Sequence, residues 1–77
     1  MIDELSRVVL TRDLPEHALR AGDLGTVVLA HQNGVGYTVE FVTLGGDTLA
    51  VITVPTEAVR LAHSDEIAHV RTLATSI

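Results

Sequence analysis

The chain contains no cysteine, no lysine and no tryptophan, and its two aromatic residues are Tyr37 and Phe41. Each absence removes a class of protein. Without cysteine there is neither a disulfide framework nor a thiolate metal site, so 77 residues must be held together by packing or by self-association. The same absence fits a reducing compartment, and a cytoplasmic location is expected. Without lysine, five arginines face ten acidic residues and the formal charge is −5. A surface of that sign repels phosphate backbones and has few counterions to release, which argues against nucleic acid as a partner. Two aromatics supply no platform for stacked bases. No apolar run approaches the ~20 residues of a membrane-spanning helix, and Met1-Ile2-Asp3-Glu4 is acidic where a secretory signal is basic. No membrane association is expected.

What is present is aliphatic. Hydrophobic residues make up 47% of the chain, and a chain of this length forms one domain, 1–77, around one small core. Its organising stretch is Leu19-Arg20-Ala21-Gly22-Asp23-Leu24-Gly25-Thr26-Val27-Val28. Gly22-Asp23 is a turn, because glycine accepts positive φ and aspartate bonds nearby backbone. Gly25 opens a strand, where a missing Cβ marks a bulge, a bend or a close backbone approach.

Around that stretch the pattern is one of short strands. Ser6 to Thr11 has the β-branched content of a strand, and Met1 to Leu5 is either one turn of helix or an unstructured start. Arg12 to Leu19 is a loop, because Pro15 lacks a donor and pushes Leu14 out of the helical region. A second strand, Gly25 to His31, ends at the hairpin signal Asn33-Gly34. The third, Tyr37 to Thr43, puts Val39 and Phe41 in the core, and a tight turn at Leu44-Gly45-Gly46-Asp47 leads to the fourth, Thr48 to Val54. Pro55 to Ala58 resembles one turn of 3₁₀ helix, and Val59 to Leu61 makes a fifth strand. The period then changes: Ser64 caps, Asp65 and Glu66 complement a helix dipole, and Ile67, Val70, Leu73 and Ala74 share a face, which predicts an amphipathic helix over 64–75. The expected architecture is all-β, a five-stranded SH3-like barrel over 6–62 with a short C-terminal helix. An open five-stranded sheet or an OB-type barrel is the alternative.

Val8-Val9-Leu10-Thr11-Arg12-Asp13-Leu14-Pro15-Glu16-His17, with the stretch Leu19 to Val28, Tyr37-x-Val39-Glu40-Phe41 and Leu49 to Pro55, resembles a family of short bacterial proteins classed as a domain of unknown function. Such families often sit in small operons resembling toxin–antitoxin or immunity pairs, so the resemblance implies the antitoxin or immunity member of a two-gene system. Gly22-Asp23-Leu24-Gly25-Thr26-Val27-Val28 is also similar to the KOW motif of ribosomal and transcription-elongation proteins. That likeness implies an alternative, a module on a ribonucleoprotein, although RNA-binding KOW domains are basic around this turn and here only Arg20 lies near. Pro15-Glu16-His17-Ala18-Leu19-Arg20 looks like a segment of the nitrile hydratase β-subunit barrel. It implies at most an accessory subunit of an enzyme, because the metal ligands belong to another subunit.

The residues themselves give little chemistry. His17, His31, His63 and His69 fit no helix-borne ligand spacing, Gly34-x-Gly36 and Gly45-Gly46 lack a phosphate-binding helix, and a small core gives general-base chemistry no pocket. No cofactor, no metal and no catalysis are expected. The informative feature is apolarity on two faces. With Val27 and Leu29 turned inward beside Val39 and Phe41, Val28, Ala30, Val42 and one face of Leu49 to Val54, Ile52 included, point outward and need a cover. The candidates are the chain's own tail through Ile67, Val70 and Leu73, then a second copy, then another protein. The expected function is a protein-interaction module that binds through this strip, with Asp13, Glu16, His17, Arg20 and Asp23 as its polar rim.

Overall fold

A computed structural model describes residues 2–31 and 35–73. Five strands, β1 (Arg7–Leu10), β2 (Leu24–Ala30), β3 (Gly36–Val42), β4 (Thr48–Pro55) and β5 (Val59–Leu61), form one antiparallel sheet in the order β4-β3-β2-β1-β5. Each strand lies within one residue of its sequence-predicted bounds. Two 3₁₀ turns, Pro15–His17 and Thr56–Ala58, interrupt the connections. The Asn33-Gly34 hairpin signal lies outside the described residues. Residues 2–5 form no helix: Leu5 donates to the Val27 carbonyl at 2.6 Å and the Ser6 carbonyl accepts from Val27, which lays this segment beside β2.

Alternation decides which side of the sheet is buried. Val8, Leu10, Val27, Tyr37, Val39, Phe41, Val54, Ala58 and Val59 form one core with Leu19 from the first long loop. Val54 on one edge strand and Val59 on the other belong to the same cluster, so the sheet curls around it. Among the described residues β4 and β5 share no ladder, and the sheet stays open between them.

Gly25 is buried inside that curl. A Cβ there would lie 2.5 Å from Val39 Cγ1 and 2.8 Å from the Phe41 ring. The missing side chain therefore makes room for two core side chains, rather than for a bulge or a second backbone.

The bulge lies three residues further on. Pairing between β2 and β3 runs Val27 with Val39, then Leu29 with Thr38, so one residue is extra. The parity of β2 changes there. Val28 and Leu29 both reach solvent, and Ala30 turns in beside Tyr37 to pack on the core. The expectation that Leu29 faces inward and Ala30 outward is corrected by this single insertion.

The C-terminal helix is not formed. Ser64 and Asp65 make a turn, and Glu66 to Leu73 carry no helical hydrogen bonding; residues 74 and 75 of the expected span lie outside the described residues. The Glu66 carboxylate takes the Arg60 guanidinium at 2.9 and 2.7 Å and the His63 N–H at 2.7 Å. Ile67 is 95% exposed and Val70 71% exposed, so these two positions of the apolar stripe pack on nothing that would stabilise a helix. A helix of that length is marginal without such packing.

Candidate functional site

The first long loop is closed by its own backbone. Leu14 and Leu19 exchange N–H···O bonds at 2.9 and 3.1 Å around the 3₁₀ turn, and Ala18 takes a left-handed conformation with φ 58°. Gly22, at φ 96°, returns the chain to β2, its N–H donating to the Leu10 carbonyl. Two of the expected rim acids are spent on this closure. Asp13 Oδ1 accepts from the Ala21 N–H at 2.9 Å, and Asp23 Oδ2 accepts from the Arg20 N–H at 2.8 Å. Glu16, His17 and Arg20 are exposed beside them.

Asp23 also fastens the tail. Arg71 Nε and Nη2 donate to its two oxygens at 2.9 and 2.5 Å, and Nη2 reaches the Ala18 carbonyl at 3.2 Å. Burial raises the Asp23 pKa, but hydrogen bonds from Arg71 and the Arg20 N–H, with the charges of both arginines, outweigh it and hold the carboxyl below its usual range. The Arg71 guanidinium is raised in turn by Asp23. A hollow of about 170 Å³ at this junction is lined by Asp13, Pro15, Ala18, Leu19, Arg20 and Arg71. A second, of about 360 Å³, separates the tail at Ile67 and His69 from the outward side chains Arg7, Val9 and Leu24. The tail therefore runs beside β1, β5 and the start of β2.

Among the described residues, nothing comparable covers the opposite end of the sheet. Pairing of Thr38 with Thr53 and of Glu40 with Val51 puts these side chains on the outer face. There Val28 (38% exposed), Leu29 (47%), Val42 (56%), Leu49 (36%) and Val51 (53%) stand open, with Leu44 beyond on the hairpin turn. A short polar file crosses them: His31 Nε2 lies 3.1 Å from Thr38 Oγ1, which is 2.9 Å from Thr53 Oγ1, and Thr48 donates to Glu40 at 3.0 Å.

The ten residues singled out by sequence thus fall in four places. Asp13, Glu16, His17, Arg20 and Asp23 gather in and after the loop; Val28 and Val42 lie on the outer face; Ile67 and Val70 are exposed on the tail, away from that face. Ile52 is placed differently: it pairs with Val39 and packs against the core, so its outward assignment is corrected. Its neighbours Leu49 and Val51 take the outward positions. Counting alternation back from core-facing Val54 would have found them. Leu29 was hidden by the bulge, and Arg71 by the expected helix.

Among the described residues, no cluster of three His, Asp or Glu side chains is arranged to hold a metal ion, and no helix is long and apolar enough to cross a membrane.

Fold and surface together define a small all-β domain with one curled sheet, one core and an aliphatic outer face. The chain belongs to the family described as Domain of unknown function (DUF4926), whose model matches residues 4–61. That span takes in all five strands and stops where the tail begins. No curated protein and no solved structure matches the chain.

Proposed function

We propose that this chain is a non-enzymatic protein-interaction module, SH3-like in plan, that docks a partner protein on the outer face of β2, β3 and β4. The strand order and the 3₁₀ turn between the last two strands favour the SH3-like plan. The docking role rests on one observation: Val28, Leu29, Val42, Leu49 and Val51 stay exposed while the tail is held elsewhere by Arg71 and Glu66. An aliphatic patch of this kind, rimmed by polar groups, is the ordinary mark of an interface.

The chain's charge of −5 selects a partner whose apolar patch is rimmed by arginine or lysine. An antitoxin or immunity member of a bacterial gene pair, shielding a basic or catalytic surface, fits that description. The test is co-expression of the tagged chain with the product of the adjacent gene. A complex of fixed stoichiometry is expected, lost in a Leu29→Asp, Val42→Asp double variant whose circular dichroism matches wild type. A chain that elutes free of that product, or a complex indifferent to both substitutions, overturns the reading.

A further inference from the structure

The two edges of the sheet are built differently. β5 is three residues long and carries Arg60, whose guanidinium is tied to Glu66 of the tail. Shortness and charge are the usual means by which a sheet edge avoids pairing with another chain. β4, at the other edge, is eight residues long, reads Thr48-Leu49-Ala50-Val51-Ile52-Thr53-Val54-Pro55, and contains no charged residue. Proline appears only at its last position. Among the described residues, backbone hydrogen bonds from 48–54 run to β3 alone, which leaves the far side of the strand unpaired.

We infer that β4 is a self-pairing edge, and that two copies of this chain join their β4 strands antiparallel into one continuous ten-stranded sheet. A two-fold axis at Val51 gives a register that matches the regular centre of the strand. Val51 meets its own copy, Leu49 meets Thr53 and Ala50 meets Ile52, so over residues 49–53 outward residues face outward ones and inward residues face inward ones; the register shift against β3 at Leu49 turns Thr48 outward, and this matching ends there. The nearest acid, Asp47, falls opposite Pro55 rather than opposite another carboxylate. Such a contact uses main-chain groups and residue types rich in β-branching, and it is independent of any foreign protein on the outer face.

Sedimentation of the purified full chain, compared with Val51→Lys, tests this. Val51 is 53% exposed, so the lysine costs the fold little, but on the axis it sets two like charges against each other. Wild type is expected to rise with concentration from 8.2 kDa toward twice that mass. Val51→Lys is expected to stay at the lower mass, and Val70→Lys, a change at a more exposed valine on the tail, to behave as wild type. Hydrogen exchange should show β4 amides slowing with concentration in wild type alone. A wild-type chain that remains at the lower mass, or a dimer that survives Val51→Lys, overturns the inference; neither result bears on capture of the adjacent gene product, which is measured separately.

Discussion

Single residues in this chain act through what they leave out or tie down. Gly25 is the clearest case, because its missing Cβ is the space that Val39 and Phe41 occupy. Gly25→Ala overpacks a core whose two nearest side chains are 0% and 2% exposed, and is expected to cost about 1–3 kcal/mol in denaturant melts. Asp23 works by attraction. Its pKa in the folded chain lies below the 3.8 it has when free, so the folded state holds this proton less tightly than the unfolded one. The stabilisation is complete above that free value and disappears as pH falls through the lower folded value. An Asp23→Asn variant should therefore be less stable than wild type at neutral pH, with the difference closing below about pH 4. A gap that persists at pH 2 would mean that the carboxylate's charge is not what holds the loop. Glu66, pulled down to about 2 chiefly by its hydrogen bonds from Arg60, titrates in the same direction. That pair is well exposed, so salt weakens it.

Among the elements, strands and tail differ in how far they depend on the rest of the molecule. Among the described residues, every buried hydrophobic side chain lies between Val8 and Val59. A chain truncated after Ala62 is thus expected to keep its sheet, with amide chemical shifts changing mainly at Arg7, Val9, Leu24 and Asp23, where the tail lies. Loss of dispersion throughout the spectrum would show instead that the tail completes the core. The strands were legible because alternation of aliphatic and polar residues is a local signal, and Gly22 and Gly46 take the positive φ that their turns require. The bulge after Val27 was not, since an extra residue shows only against its partner strand. The tail was misread for a related reason: Ser64 to Glu66 carry valid helix-start chemistry, but Glu66 is claimed by Arg60 and Arg71 by Asp23. The loop half of the candidate site could be read from residues adjacent in sequence, whereas the outer face depends on register between strands.

At the scale of the whole molecule, a chain of charge −5 approaches a basic partner under attraction before any apolar contact is made. On the docking proposed above, the association rate with the adjacent gene product is expected to fall several-fold as salt rises from about 0.05 to 0.5 M, with a smaller change in the dissociation rate. Stopped-flow mixing reads both, and a rate independent of salt would remove charge from the account of recognition.

Tyr37 carries the molecule's lone phenol, buried in the core with its hydroxyl accepting the Ile2 N–H at 3.2 Å. With no indole to mask it, that ring is a built-in optical reporter. Its emission and near-ultraviolet dichroism follow both the release of the N-terminal segment and the opening of the interior, so unfolding can be timed without attaching a dye.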